Sequence, residues 1–175
     1  MILLLGGARS GKSSTAVRLA AEARVPVTYV ATAEAGDAEM AQRIQRHRAE
    51  RPRGWTTIEA PIDLLAALAA AAETDYLIVD CLTLWVSNLL GAGRLADEVL
   101  AEAGRVASAL RGRRCVIVSN EVGLGIVPSN DLARLYRDVL GTVNATFAGA
   151  ASQALLMVAG HALALEPVDQ VLSEE

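Results

Sequence analysis

A glycine-rich segment near the start of the chain constrains the fold more than any other feature. Residues 6–13 read GGARSGKS and follow directly on the apolar run ILLL at residues 2–5. Glycine tolerates backbone angles that other residues avoid, so this segment can turn sharply between two regular elements. The residues that follow, 12–23, have the pattern of a helix. The segment therefore predicts a strand, a tight loop and a helix in direct succession.

The rest of the chain repeats this alternation of short apolar runs and longer helical patterns. Runs that are apolar throughout indicate strands of a parallel sheet that helices cover on both faces. We predict buried strands at 2–5, 27–31, 76–80, 115–119 and 154–159, a short strand at 56–60 and a last edge strand at 161–165, for which an antiparallel direction is open. We predict helices at 12–23, 37–50, 62–73, 83–90, 96–111 and 131–150. The expected fold is α/β, with a mainly parallel sheet flanked by helices on both faces and with residues 1–175 in a single domain.

Composition excludes several classes of protein. Hydrophobic residues make up 53% of the chain and charged residues 21%, which excludes a disordered chain. The formal net charge of −4 and the aromatic content of 3% argue against a nucleic-acid partner. We expect no membrane segment and no signal peptide, because no apolar run is long enough and the first residues lack a basic region. Cys81 and Cys115 lie in separate apolar runs, and we expect buried free thiols in a cytoplasmic protein.

The motif at residues 6–13 also indicates the ligand. Its spacing matches G-x-x-x-x-G-K-[ST], in which converging backbone N–H groups and the N-terminus of the next helix bind phosphates. We expect Lys12 to reach the β- and γ-phosphates and Ser13 to hold Mg²⁺. Asp80 ends the run YLIVD and is the expected second partner of the magnesium. The prediction is a nucleoside triphosphate site with Mg²⁺, in a fold of the P-loop NTPase type with a RecA-like mainly parallel sheet.

A single histidine stands among arginines in RIQRHRAERP, residues 43–52. If residues 37–50 are helical, Arg43, His47 and Arg51 fall on one stripe. One interpretation is a solvated basic face. The other is a nucleophilic imidazole, with guanidinium groups that bind triphosphate oxygens and stabilise departing pyrophosphate. Nearby guanidinium groups favour the neutral imidazole whereas the helix C-terminus favours its cation, so the residues alone leave both interpretations open.

Six motifs follow one another along the chain in the order of a known family. They are GGARSGKS at 6–13, YVATA at 29–33, DAEMAQRIQRHR at 37–48, RPRGW at 51–55, VDCLTLWVSNLL at 79–90 and SNEVGLGIVPSNDLARLYRDVLGTVN at 119–144. With this set the chain resembles the bifunctional adenosylcobinamide kinase and adenosylcobinamide-phosphate guanylyltransferase family of cobalamin biosynthesis. The resemblance covers nearly the whole chain, and the histidine block followed by NEVG-x-G-IVP is its most specific part. Members of that family can show a second histidine beside the first, where this chain has Arg46.

The resemblance implies two reactions in one protein. The aminopropanol hydroxyl of adenosylcobinamide takes the γ-phosphate of ATP or GTP, and GTP then guanylylates a histidine that passes GMP to the corrinoid phosphate, giving adenosyl-GDP-cobinamide. By position, the catalytic residues implied are His47 and Lys12. The nucleotide-binding residues are Gly6, Gly7, Ala8, Arg9, Ser10, Gly11, Lys12, Ser13, Ala31, Thr32, Ala33, Arg48, Ala49, Glu50, Arg51, Glu59 and Asp80. The resemblance also implies a homotrimer.

Loop 120–130 precedes the last long helix and has several open roles. Asn120 and Glu121 either face a reacting group, which is the γ-phosphate or the corrinoid hydroxyl, or belong to a purely structural connection. Either Ser129 or Asn130 is expected to cap the following helix. Trp55 is open between a stacking platform for a base or the corrin and a core residue. Arg134 and Arg137 are open between a contact with phosphate or a neighbouring subunit and a solvated face, while His161 is expected to be structural.

Two rival functions are consistent with the phosphate motif. One is a single-step P-loop kinase that uses the arginines as a phosphate clamp and forms no covalent nucleotide. The other is a nucleic-acid binder on a RecA-like core, against which the acidic balance argues. If His47 attacks an α-phosphate while Lys12 holds the β- and γ-phosphates, the helix at 37–50 is a candidate for movement between the two reactions.

Overall fold

Strands and helices alternate along the whole chain. The computed structural model describes residues 1–49 and 51–173, without the side chains of Glu39 and Arg43. The strands are β1 (Ile2–Gly6), β2 (Val27–Ala31), β3 (Thr56–Glu59), β4 (Tyr76–Asp80), β5 (Cys115–Val118), β6 (Gln153–Val158) and β7 (His161–Leu165). The helices are α1 (Lys12–Glu22), α2 (Ala38–Ala49), α3 (Leu64–Ala70), α4 (Leu82–Gly91), α5 (Ala96–Ala109), α6 (Asp131–Ala150) and α7 (Val168–Leu172).

These strands form one seven-stranded sheet in the order β3-β2-β4-β5-β1-β6-β7. Every pairing is parallel except that of β6 with β7, which is antiparallel. The predicted α/β fold with a mainly parallel sheet is therefore confirmed, and the direction of the edge strand is settled. Because parallel strands end at the same edge, the loops that follow β1, β2, β4 and β5 meet there.

The core lies on both faces of the sheet. Alternate residues of a strand point to opposite faces, so Leu3 and Leu5 pack with α3 to α6 whereas Leu4 packs with α1. Trp85 and Phe147 are the largest side chains that are fully buried, and both belong to the face with α3 to α6. Burying one such apolar side chain contributes about 2 kcal/mol to stability. The strands are thus held rigidly enough to position the loops at their ends.

The structure differs from the sequence prediction at several element ends. Helix α2 ends at Ala49, so Arg51 lies beyond the helix and not on one stripe with His47 as predicted. Helix α3 is shorter than predicted because Asp63 caps it, accepting a hydrogen bond from Ala66 N at 2.9 Å, and because the chain is extended at Ala71.

The far edge of the sheet is also more open than predicted. We expected β6 to be buried, but four of its six residues are partly or fully exposed. Every residue of β7 is exposed. The short helix α7 was not predicted. Within residues 1–49 and 51–173, no helix has the length and apolar character to cross a membrane.

Candidate active site

The loop between β1 and α1 has a backbone shape that only glycine allows at its start. Gly6 has a φ angle of 146°, and a Cβ atom at this position would lie 2.2 Å from the carbonyl oxygen of Met157. Gly11 and Arg9 also have positive φ angles, of 96° and 57°. The loop leads directly into the N-terminus of α1, where backbone N–H groups without helical partners attract an anion.

Lys12 is folded back over this loop. Only 6% of the residue is exposed. Its ammonium group donates to the carbonyl oxygens of Gly6 at 2.9 Å and Gly7 at 2.6 Å and to Ser10 Oγ at 3.2 Å. A buried lysine above a glycine-rich loop places a positive charge where phosphate oxygens bind.

Asp80 ends β4 on the same face of the sheet as Tyr29 of β2. The Tyr29 hydroxyl donates to Asp80 Oδ2 at 2.5 Å. Burial and the adjacent carboxylate raise the pKa of Tyr29 far above its ordinary value, so the phenol keeps its proton and remains a donor. On the other side, the Arg51 guanidinium carbon lies 3.6 Å from the centre of the Tyr29 ring. Tyr29 therefore contacts both the carboxylate and the guanidinium group.

Thr32 fixes the end of β2 against the end of β4. Its hydroxyl donates to the carbonyl oxygen of Cys81 at 2.8 Å and accepts from Cys81 N at 2.7 Å. The Asn88 side chain donates to the Thr32 carbonyl oxygen at 2.8 Å. Thr32 is completely buried, so its side chain holds the backbone next to Asp80 in place.

Helix α2 brings its C-terminal end to the same place. His47, Arg46 and Arg51 line a cleft with the phosphate loop. Arg48 forms an ion pair with Glu59 at the end of β3, which joins the helix to the edge of the sheet.

The cleft has a volume of about 650 Å³. Of the residues implied by the resemblance, those that line it are Ala8, Arg9, Ser10, Gly11, Lys12, Ser13, Ala31, Ala33, His47, Arg51, Glu59 and Asp80. Among the described residues, those that do not line it are Gly6, Gly7, Thr32, Arg48 and Ala49, while Glu50 lies outside the described residues. The two catalytic candidates thus share one cleft.

Sequence reasoning missed part of the cleft wall. The additional lining residues are Ser14, Tyr29, Met40, Gln42, Ile44, Cys81, Leu84 and Val118. Tyr29 could have been found from the sequence, because a hydroxyl-bearing residue inside an apolar strand usually needs a hydrogen-bond partner. The aliphatic residues carry no such signal, because they resemble core residues of a helix or strand.

Asn120 lines the cleft and is held by two helices. Its backbone N–H donates to Thr83 Oγ1 at 2.7 Å, and its carbonyl oxygen accepts from Asn144 Nδ2 at 3.0 Å. Glu121 does not face the cleft, because its carboxylate accepts from Gly123 N at 2.5 Å within its own loop. Of the two residues left open between a ligand and a structural role, only Asn120 is placed to contact a ligand.

The remaining candidates lie away from the cleft. Trp55 packs against the core on the α1 face. The Arg134 guanidinium group donates to the carbonyl oxygens of Pro128 and Ser129 and pairs with Asp131, so it holds the loop to α6. These contacts favour the core role for Trp55, and they give Arg134 a structural role in its own loop that was not among the expected alternatives.

The two cysteines differ from the prediction in one respect. Cys115 is a buried free thiol as expected, whereas Cys81 is only partly buried and lines the cleft. Desolvation and the Asp80 carboxylate raise the pKa of the Cys81 thiol to about 11. The Cys81 thiol is therefore neutral near pH 7 and unsuited to nucleophilic attack.

Oxygen donors suitable for magnesium are present in the cleft. The Ser13 hydroxyl and the Asp80 carboxylate both line it, and Mg²⁺ is typically bound by one or two such protein oxygens together with phosphates and water. Among the described residues no group of three or more histidine, cysteine, aspartate or glutamate side chains forms a metal cage. The residues fit a magnesium ion that arrives with a nucleotide.

A mainly parallel sheet with a phosphate loop after its first strand and a strand-end aspartate beside it defines a P-loop nucleotide-binding enzyme. Residues 2–165 match the family described as cobinamide kinase / cobinamide phosphate guanyltransferase, and the chain belongs to this family. It is 45% identical over 170 residues to the bifunctional adenosylcobalamin biosynthesis protein CobP of Pseudomonas aeruginosa, covering 94% of this chain and 96% of the relative. It is 42% identical over 177 residues to the bifunctional adenosylcobalamin biosynthesis protein CobU of Salmonella typhimurium, covering 91% and 96%. The family expected from the sequence is confirmed.

Proposed function

We propose that this enzyme uses one cleft for two consecutive reactions and that His47 carries GMP between them. In the first, the aminopropanol hydroxyl of adenosylcobinamide takes the γ-phosphate of ATP or GTP. In the second, GMP passes from GTP through His47 to the corrinoid phosphate, giving adenosyl-GDP-cobinamide. The observation that carries the proposal is that His47 and the phosphate loop line the same cleft.

For phosphoryl transfer, the loop from Ala8 to Ser13 binds the triphosphate through its backbone N–H groups and the N-terminus of α1. Lys12 exchanges its loop acceptors for phosphate oxygens and stabilises the charge that develops on the transferred group. Ser13 and Asp80 would hold Mg²⁺, which neutralises phosphate charge when bound. Asn120 would orient the acceptor hydroxyl, and its position in the cleft with its backbone fixed on both sides supports this role.

For nucleotidyl transfer, a ring nitrogen of His47 attacks the α-phosphorus of GTP. A nitrogen–phosphorus bond forms, the bond from the α-phosphorus to the α–β bridging oxygen breaks, and pyrophosphate leaves with that electron pair. Arg46 and Arg51 line the cleft beside His47 and would stabilise the departing charge. An oxygen of the corrinoid phosphate then attacks the same phosphorus, the nitrogen–phosphorus bond breaks, and the imidazole is released.

Intact-mass measurement after exposure to GTP tests the covalent step. We expect wild-type protein to gain the mass of GMP and His47→Ala to gain nothing. The matched control is His161→Ala, since His161 is exposed on β7 and is the chain's other histidine. A GMP adduct on His47→Ala would overturn the assignment of the nucleophile. Phosphorylation of adenosylcobinamide by a wild-type protein that forms no adduct would favour the single-step kinase.

The assembly and the nucleotide preference are separate parts of the proposal. Large apolar side chains are exposed along β6, β7 and α7, namely Val158, Leu163, Leu165, Val168, Val171 and Leu172. These residues support self-association, for which we propose a homotrimer. The two free thiols and the nucleoside triphosphate substrates support a cytoplasmic location.

Light scattering on the eluted protein tests the trimer. We expect three copies for wild-type protein and dissociation in Leu163→Asp, because a charge would be buried in the interface. The control is Leu95→Asp, which alters a 70% exposed leucine at the start of α5. A monomeric wild-type protein would overturn the trimer without affecting the assignment of His47.

A further inference from the structure

Helix α2 carries His47, but its own packing does little to hold it. No described residue of Ala38–Ala49 belongs to either core cluster. The helix end is attached through Arg48, which pairs with Glu59, and through Arg51, which lies on the ring of Tyr29. The side chains of the ion pair are both 53% exposed, and exposed pairs contribute little. By contrast, the contact of Arg51 with Tyr29 is shielded from solvent on the tyrosine side, since Tyr29 is only 3% exposed.

Tyr29 is a rigid support because of its place in the sheet. It lies in the middle of β2 and is aligned with Thr57 on β3 and Ile78 on β4, so neighbouring strands fix its backbone on both sides. The Arg51 guanidinium group lies 3.6 Å from the ring centre and also donates to Thr57 Oγ1 at 3.2 Å. A guanidinium group over an aromatic face at this distance is attracted by the ring. Arg51 is therefore held against two strands at once.

The same tyrosine reaches the phosphate side of the cleft. Its hydroxyl donates to Asp80 Oδ2 at 2.5 Å, which leaves the other carboxylate oxygen for a ligand. We propose that Tyr29 is a positioning residue, whose ring holds Arg51 and thereby His47 over the triphosphate, and whose hydroxyl orients the Asp80 carboxylate. The proposal rests on the proposed function in one respect, which is that His47 is taken as the nucleophile.

The two contacts of Tyr29 make its two roles separable. Tyr29→Phe keeps the ring and removes only the hydrogen bond to Asp80. Tyr29→Leu removes the aromatic face, and Arg51→Met removes the guanidinium group from the other side of the same contact. Arg53→Met is the matched control, since Arg53 is an exposed arginine two residues further along the same connection.

The experiment measures single-turnover GMP attachment by intact mass at saturating GTP and magnesium, and hydrogen exchange of residues 38–49 without ligand. We expect Tyr29→Leu and Arg51→Met each to slow attachment by roughly tenfold to a hundredfold, because a small misplacement of the nucleophile is costly. The double variant should be no slower than the slower single variant, because both changes break one contact. Both single variants should also exchange faster in α2 than Arg53→Met.

Tyr29→Phe should attach GMP at the wild-type rate but require more magnesium for half-maximal phosphoryl transfer.

Additive losses in the double variant, or α2 exchange in Tyr29→Leu and Arg51→Met equal to that of Arg53→Met, would overturn the proposal. Should Tyr29→Leu fail to fold, the ligand-free exchange of α2 in Arg51→Met still decides the question, because it does not depend on the charge that Arg51 offers to departing pyrophosphate. If wild-type protein forms no adduct, the assignment of His47 fails instead, and the exchange measurement still tests the contact between Tyr29 and Arg51.

Discussion

Among the glycines of the chain, Gly6 is the one at which an added Cβ atom would make the shortest contact. Its φ angle of 146° is favourable for glycine alone, and an added Cβ would lie 2.2 Å from the Met157 carbonyl oxygen on the neighbouring strand. The backbone there serves two purposes, since it begins the phosphate loop and pairs with β6. Stability and nucleotide binding are therefore coupled at this residue.

We predict that Gly6→Ala lowers the free energy of unfolding by about 2 kcal/mol or more and weakens nucleotide binding. Urea unfolding and a fluorescent-nucleotide titration measure the two effects. Gly104→Ala is the control, because Gly104 lies inside α5 with nothing within 4 Å of an added Cβ. That change is expected to raise stability slightly. Equal stability of Gly6→Ala and wild-type protein would contradict the steric argument.

Thr32 makes hydrogen bonds that a sequence motif does not indicate. The resemblance implies a nucleotide contact at Thr32, and the structure adds a role that the motif does not indicate: the buried hydroxyl bonds to both the carbonyl oxygen and the N–H of Cys81. The phosphate loop was predictable because its residues are adjacent in the sequence. Thr32 and Cys81 are 49 residues apart, and Tyr29 and Asp80 are 51 apart. No local pattern indicates such pairs, because strand order brings them together.

We predict that Thr32→Val costs about 1–3 kcal/mol, since it leaves the Cys81 N–H without its side-chain acceptor at nearly unchanged volume. The Cys81 carbonyl oxygen loses only one of two bonds, because it also accepts from Trp85 N at 3.2 Å. Thermal or urea unfolding measures the loss. Thr146→Val is the control, because Thr146 is partly exposed and its hydroxyl bonds to the Thr142 carbonyl oxygen in the preceding turn of the same helix. A loss in Thr32→Val no greater than in the control would show that water replaces the hydroxyl.

At the scale of elements, the interiors of helices were predicted better than their ends. Apolar periodicity indicates where a helix packs, whereas its ends depend on single capping contacts. From the sequence, Ser129 and Asn130 were alternative caps of α6. In the structure the cap is Asn130, whose Oδ1 accepts from Ala133 N at 3.1 Å. For α2, the charged stripe suggested a longer helix because the pattern does not reveal where the chain turns towards Tyr29.

We predict that Asn130→Ala destabilises the protein by about 1 kcal/mol, because the first turn of α6 loses its side-chain acceptor. Ser129→Ala should be within about 0.5 kcal/mol of wild type, since the Ser129 side chain is exposed. Urea unfolding of the two variants in parallel measures the difference. Equal losses would mean that both side chains share the capping role.

At the scale of the whole molecule, one edge of the sheet gathers the site. The loops after β1 and β5, the end of β4 and the far end of α2 all line one cleft, although they come from distant parts of the sequence. The parallel direction of the strands could be predicted from the alternation of elements, and with it the edge of the sheet at which ligands bind. The exposure of β6 and β7 could not, because an apolar run does not reveal whether a helix of the same chain covers it.

The buried thiol of Cys115 makes the stability of the whole molecule sensitive to alkaline pH. Burial in β5 raises the pKa of this thiol from 9.0 to about 11. Between those values the unfolded chain has lost the proton while the folded protein keeps it, so the stabilisation is present below about pH 9 and is lost as the pH rises through about 11. Two pKa units correspond to about 2–3 kcal/mol, and the wild-type free energy of unfolding should fall by this order over that window.

Cys115→Ala removes the titrating group, and its stability should decline less steeply over the same window. Urea unfolding at several pH values in a reducing buffer measures both slopes. The variant is also expected to be less stable near neutral pH, because it leaves a small cavity in the core, so the slopes and not the absolute values carry the comparison. Parallel slopes would mean that the Cys115 thiolate is accommodated in the folded protein.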